Sequence, residues 1–389
     1  MREGVVRLAY GAGRVLRAAR REFAAPLAAL LGVVILQQAA ALAPAFVERV
    51  YGRALYPRVA RTLSVVTGAL PFSVGEVFVI LLSALLAAAL ARLALLLVRK
   101  RGGARVILFA HARAALWCAA VLGLAFMLAF GFNYQRPPLV ETLGYEQRRA
   151  TVDELEAMTA AVVEAVNRNY EESHAEGYEA PDARGVARIL EEAYAREPEL
   201  SRFRVEGFGP PKPVHFSGLL TRLGISGIYF PFTGEPNYNA EPPDFQQPFS
   251  MAHEMAHQRG FARESEANFV AFLVCVRAGD PSVRYSGYRF ALGVGTELYR
   301  LDPAKARTLF NRLGLGYRED SRAAAKFWLR AEGRAGALSA RLNDLYLRAN
   351  RISSGTRNYG EATALLIGYY LKSPPRRPPP DGEGAATTP

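Results

Sequence analysis

Three stretches in the first third of the chain, at about residues 26–46, 77–98 and 114–132, are apolar over roughly the 20 residues that a helix needs to cross a bilayer. A buried core helix is the alternative for any one of them, but three such stretches separated by Arg-rich segments suit lipid better than one soluble core. Arg92, two turns before the end of the second stretch, does not break this pattern, because its side chain can snorkel toward the headgroups. The charge distribution points the same way. The net charge is +12, but residues 1–132 hold 16 Lys and Arg against 4 Asp and Glu, whereas residues 133–389 hold 32 of each. The excess therefore flanks apolar segments, and the C-terminal part has no basic run interleaved with aromatics. A nucleic-acid partner is excluded on that ground.

Basic residues in the short flanks set the expected orientation. The N-terminal tail and the loop after the second stretch carry 11, and the opposite side carries 7. This places the N-terminus in the cytoplasm and everything after Phe132 outside it. The expected organisation is a cytoplasmic basic tail (1–25), a membrane domain with three transmembrane helices (26–132), an extracytoplasmic domain (133–372) and a disordered Pro-rich tail (373–389). A cleaved signal peptide is the alternative for the first stretch, with small residues between Ala39 and Ala45 as cleavage sites, although its charged leader is long for one. Between the first two stretches, Val50, Leu55, Val59, Leu63 and Val66 recur at helical spacing. They predict a short amphipathic helix lying at the interface, with a polar loop as the alternative.

From Asn133 the composition is that of a globular domain. Thr151 and Glu154 form a capping-box signature before a helix to about Tyr170, and Asp182 can cap a second helix to about Ala195. Gly209 to Pro213 interrupts regular structure. Gly227 to Phe232 reads as a strand that Pro231 confines to a sheet edge. Ser250 is expected to cap the next helix, which Gly260 ends. Further helices are expected at about 264–278, 304–313, 321–330, 338–349 and 361–371.

Chemistry concentrates at His253-Glu254-Met255-Ala256-His257. A spacing of four puts both imidazoles on one helix face, where they can grip one metal ion, with Glu254 beside them to act on water. A catalytic zinc site has three protein ligands. Glu264, just past Gly260, can be swung back as the third by a helix-turn-helix, and Asn268 lies one turn further along the same face, where its amide can hold a ligating histidine. Glu266 points about 200° away and is the poorer ligand. His174 and His215 are read as ordinary surface or core histidines. Cys118 and Cys275 show no metal-type spacing and are not assigned to a disulfide.

The two motifs HEMAH and ESEAN resemble those of the zincin metallopeptidases, in particular the gluzincin branch, and are similar to those of CAAX-type endopeptidases and ImmA/IrrE-type peptidases. The resemblance implies that His253, His257 and Glu264 bind Zn2+, that Glu254 is the general base, and that Asn268 supports a ligand. The chain departs from the gluzincin pattern in its short spacing between His257 and Glu264 and in having Asn268 where the motif has Asp. It departs from the metzincin pattern in having Arg263 where a third histidine would stand. Over nearly its whole length the chain also resembles a family of multi-pass bacterial membrane proteins. That likeness is carried by Tyr56-Pro57, Pro71-Phe72-Ser73, Asn133-Tyr134, Gly227-Ile228-Tyr229, Phe232 to Glu235, HEMAHQRG, ESEANF and Tyr285 to Tyr288. The implied location is a bacterial cell membrane.

The expected fold class is mainly α: a three-helix transmembrane domain followed by an α+β zincin-like domain with a small sheet. The expected function is hydrolysis of peptide bonds in a peptide or protein substrate by zinc-activated water. Tyr285 and Tyr288 are candidate donors to the transition state, with core packing as the alternative. The strand at Gly227 can take an extended peptide by edge pairing, and Glu235 to Asn239 can shape the cleft. The rival reading is a non-catalytic membrane-anchored binding or envelope-assembly protein with a structural metal site.

Overall fold

The computed structural model describes residues 2–99, 104–146, 148–203, 205–350 and 359–373. The predicted basic tail and the first apolar stretch form one helix, α1 (Arg2–Ala41), with Pro26 inside it. It stops five residues before the expected end. Pro44 disfavours helix at Ala43, whose backbone lies at φ −133° and ψ 57°. The next two apolar helices are α3 (Val74–Val98) and α4 (Ala104–Ala129). Among the described residues three segments, Glu22–Ala41, Val74–Val98 and Val106–Ala129, are long and apolar enough to cross a membrane. Their side chains point outward, with Leu31, Leu85 and Val121 each about 60% exposed or more. The third helix begins ten residues before the predicted boundary, since a long Arg113 side chain does not terminate a helix. It ends before Phe132, at a 3-10 turn (Gly131–Gln135) opened by a non-helical Phe130.

The segment between the first two apolar helices departs most from expectation. It is helical throughout: a short turn Pro44–Phe46, a π-helical stretch Val47–Leu55 and α2 (Tyr56–Gly68). Yet Glu48, Tyr51, Tyr56, Ala60 and Ser64 are all buried. Tyr56 packs in one cluster with Phe130, Tyr134, Tyr229 and Ala262. It is therefore no free-standing interfacial helix: its inner face covers the C-terminal domain, and the boundary expected at residue 132 does not separate the two parts.

The C-terminal domain is built from α5 (Val152–Glu172), opened by the predicted Thr151/Glu154 capping box, and α6 (Ala183–Arg196), capped by Asp182. A three-stranded sheet follows, in the order β1 (Lys212–Pro213), β3 (Glu235–Tyr238), β2 (Gly227–Phe230). β1 runs parallel to β3 and β2 antiparallel to it, with Ile228 opposite Asn237. β2 is an edge strand, as Pro231 requires, while Glu235 to Tyr238, expected only to shape a cleft, is the buried central strand. The Glu235 carboxylate accepts from the Val74 and Gly75 amides at the start of α3 and pairs with Lys212 at 2.7 Å. A carboxylate at a helix N-terminus satisfies orphan amides and the helix dipole together. The sheet is thereby fastened to the second apolar helix.

Besides a short helical turn at Leu139–Leu143, the remaining α-helices are α7 (Ser217–Leu223), α8 (Gln247–Gln258), α9 (Glu264–Arg277), α10 (Pro281–Ala291), α11 (Gly293–Leu301), α12 (Pro303–Phe310), α13 (Leu315–Trp328), α14 (Arg334–Ala349) and α15 (Tyr359–Lys372). Helix α8 starts three residues before the predicted cap, with Pro248 in its first turn. Ser250 is thus internal, and its hydroxyl back-bonds to the Gln246 carbonyl. Helix α10, capped by Asp280 and opened by Pro281, lies outside the helices expected from the sequence, as do α7 and α11. The core gathers Val162, Val166, Leu190, Met251, Met255, Phe269, Phe272, Leu298 and Leu366, all nearly fully buried. Each such side chain contributes about 2 kcal/mol of burial. The predicted Pro-rich tail lies, from residue 374 onward, outside the described residues.

Candidate metal centre

Helix α8 divides its faces by chemistry. Met251, Ala252, Met255 and Ala256 are buried in the core, and the Tyr194 hydroxyl ties the helix to α6 by donating to the Ala252 carbonyl at 2.7 Å. His253, Glu254 and His257 are left on the side toward β2 and α9. Gly260, at φ +90°, then reverses the chain. A side chain there would be strained, and its Cβ would also fall within about 3 Å of Arg136, Tyr56 and Asn133. Glu264 is the first residue of α9. This tight turn brings its carboxylate to 3.2 Å from His253 Nε2 and 3.5 Å from His257 Nε2. One ligand atom from each of the three lies within 4.8 Å of the others, the one such His/Cys/Asp/Glu group among the described residues.

The donor set fits a small divalent cation. His257 Nδ1 lies 2.8 Å from the Phe261 carbonyl, which only accepts, so Nδ1 carries a proton and Nε2 is the nitrogen turned toward Glu264, where it can ligate a cation once it is deprotonated. His253 Nδ1 lies 2.9 Å from Asn268 Oδ1 and is oriented in the same manner. Burial opposes a charge on His257, but the Glu264 carboxylate outweighs it and pushes the imidazole up to about 9. Against its own burial, Glu264 is held far below the usual carboxylate range by the two imidazoles. Positive charge is wanted between these three groups. Two nitrogens and one oxygen match the ligand preferences of zinc.

Glu254 is nearly fully buried, and its Oε2 has no protein partner. Burial raises its proton affinity, tempered by the two histidines and by an amide hydrogen bond from Tyr229. It is clamped between α8 and the edge strand: a Cβ on Gly227 would stand 2.6 Å from its carboxylate. Glu266, the lesser candidate ligand, is occupied elsewhere. It accepts from the Leu139 amide at 2.8 Å and pairs with Arg263 at 2.8 Å.

The two tyrosines singled out in the sequence are not brought to the centre. Tyr285 is buried in the core, its hydroxyl donating to Asp320 at 2.7 Å and accepting from Arg289, and Tyr288 packs edge-on against Phe272. Helix α10 turns both inward because Asp280 and Pro281 start it in a register that buries this face. Instead, burial raises the proton affinity of Tyr134 and Tyr346, whose hydroxyls are 3.0 Å apart and act on each other, and the Glu264 charge adds a smaller push to both. Nothing in the sequence points to Tyr346, a lone aromatic on an amphipathic helix. His174 stacks on Tyr170 and His215 lies against Phe216, both outside the cluster. Cys118 and Cys275 are both free.

Tyr56, from beyond the domain, and Arg136, which pairs with Glu48 from beyond it, hold the Gly260 turn. The Tyr56 hydroxyl sits 3.1 and 3.0 Å from the carbonyls of His257 and Gln258, and 3.3 Å from the Tyr229 hydroxyl. Arg136 donates to the Gly260 carbonyl at 3.0 Å and to Glu48 at 2.5 Å. Phe130, one residue beyond the third apolar helix, places its ring centroid 6.3 Å from that of His257. Tyr56 and Asn133-Tyr134 stand among the residues of the whole-chain resemblance, a signal that marks them without giving them a role.

These features define a mainly helical protein with three helices of membrane-crossing length and a His-His-Glu cluster at their border. Residues 51–367 match the family model described as protein of unknown function, DUF3810, and the chain belongs to that family. No curated protein matches the chain. No solved structure matches it either.

Proposed function

We propose that the protein is a membrane-anchored zinc metallopeptidase whose active site is His253, Glu254, His257 and Glu264. The observation that carries this reading is the convergence of His253 Nε2, His257 Nε2 and a Glu264 oxygen, with a buried, half-partnered Glu254 carboxylate next to them. A bound zinc ion would supply Lewis acidity, polarising a substrate carbonyl and making a water more acidic. Glu254 then serves as the general base, taking the proton from that water and delivering it to the leaving amine. Its buried position beside Gly227 suits this, because a carboxylate desolvated by the site takes up a proton more readily than one in water.

The free edge of β2 runs past Glu254 and suits an extended peptide bound by main-chain hydrogen bonds. Tyr346, partly exposed and with its hydroxyl 3.0 Å from that of Tyr134, is the phenol assigned to donate to a developing oxyanion. The Glu264 side chain is 33% exposed, so the cluster can be reached from its side. The bias of basic residues places this domain outside the cytoplasm, with the three apolar helices crossing the bilayer.

The test is metal content and turnover of the full chain in detergent. Wild type is expected to hold one zinc per chain and to cleave members of a quenched fluorescent peptide library. Glu254→Gln is expected to keep the zinc and lose turnover by at least 100-fold, in the range seen for general-base removal. A zinc-loaded wild type that cleaves nothing, and whose cellular role survives Glu254→Gln, would replace this reading with a structural metal site in a binding protein.

A further inference from the structure

We propose that α14, together with α7 beside it, is a membrane-surface patch, seated in the headgroup layer of the same bilayer that holds the three apolar helices. On α14, Leu338, Leu342 and Leu345 recur at intervals of four and three and are 57%, 57% and 63% exposed, whereas Leu347 on the opposite face is buried. That is an apolar stripe with no protein against it. On α7, which packs against α14, Phe216 and Leu219 are exposed to the same degree.

The occupant follows from what the patch touches. Gln37 of α1 donates to the Ala349 carbonyl at the end of α14 at 3.1 Å. Tyr346 rests its ring against Phe126 of α4. The Phe216 amide donates to Glu76, in the first turn of α3, at 2.8 Å. All three apolar helices therefore meet this underside. Gln37 lies four residues before the end of the first apolar segment and Phe126 three before the end of the third. At 1.5 Å of rise per residue, the end of α14 is level with a depth of about 5–6 Å inside the span ends. Amphipathic helices that lie on membranes are buried about 5–10 Å into the headgroup and acyl boundary. A soluble partner or second copy would have to reach the leucines through the bilayer surface. The exposed Arg334 and Arg341, next to the stripe, are placed to meet anionic headgroups.

The test uses the full chain in nanodiscs of phosphatidylcholine and phosphatidylglycerol, in a Cys118→Ser background. Cys275 can remain, since it is fully buried and its thiol is pushed up by burial. An environment-sensitive NBD label is attached at Leu342→Cys, at Leu345→Cys and, as the control about 200° around the helix from Leu342, at the exposed Ala340→Cys. Labels on the leucine positions are expected to emit at shorter wavelength and to be quenched severalfold more by a shallow nitroxide lipid than the label on the control position. Equal exposure of all three labels to water overturns the proposal. So does protection of the two leucine positions without quenching by lipid, which would mean that protein covers the stripe. Neither readout depends on peptidase activity.

Discussion

The Tyr56 hydroxyl lies 3.1 Å from the His257 carbonyl, joining residues 201 positions apart: one precedes the second apolar helix and the other closes the metal motif. The Gln258 carbonyl at the C-terminal end of α8 is met by a side chain from the segment between two membrane-length helices, which also lies beside the His257 carbonyl that the Gly260 amide reaches at 2.9 Å. The His-His-Glu cluster is thus braced from the segment that precedes the second apolar helix.

A fragment that begins at residue 134 should consequently fail to hold the site. It lacks Tyr56 and Glu48, so the His257, Gln258 and Gly260 region loses its clamps. Zinc content of the fragment is expected to fall well below one per chain while the full-length protein stays near one, by elemental analysis after gel filtration. In the full chain, Tyr56→Phe takes the hydroxyl donor from the buried Gln258 carbonyl and should cost about 1–3 kcal/mol, read as a lower unfolding temperature in detergent.

Glu264 and Glu266 should separate cleanly. Glu264→Gln removes a charged group aimed at both imidazoles and should lower zinc affinity by more than 100-fold with little loss of helical signal. Glu266→Gln instead weakens the anchoring of Leu139 and Arg263. Its expected effect is a stability loss of about 1–3 kcal/mol with zinc per folded chain retained. Competition with a chelator, run beside thermal unfolding, distinguishes the two patterns; reversed effects would exchange the two roles.

Acid should loosen the clamp. Burial raises the Glu48 carboxyl, but Arg136 and Arg53 outweigh it and the net shift is downward. With a folded value below the unfolded one near about 4.3, the pair stabilises the fold above that pH and its contribution is lost as pH falls through the folded value. Glu48→Gln is therefore expected to be less stable than wild type by a constant amount from pH 6 to 8. The gap should close below about pH 4. A difference independent of pH would show that the charge is not what matters.

If Tyr346 donates to the transition state, Tyr346→Phe should reduce kcat about 100- to 1,000-fold with a small change in KM. Tyr285→Phe should leave kcat nearly unchanged and lower stability, since its hydroxyl serves Asp320 and Arg289. Steady-state kinetics on one cleaved peptide decides between them.

Much of this protein is written locally in its sequence. Hydrophobic runs longer than any buried helix of a small domain announced three helices of membrane-crossing length. The four-residue spacing of His253 and His257 put both imidazoles on one face, and Gly260 marked the turn that returns Glu264, because helix periodicity and positive φ are properties of a few adjacent residues. Asn268 was legible for the same reason, one helical turn from Glu264. Tertiary structure alone decided what those groups meet. That Glu235 caps the second apolar helix, that Glu48 and Tyr56 brace the Gly260 turn, and that Tyr346 meets Tyr134 all depend on contacts across 88 to 212 residues. Such pairings leave no periodic trace: a single buried Tyr or Glu looks the same in sequence whether it packs in a core or holds a site, and only the packing of the helices around it makes the choice.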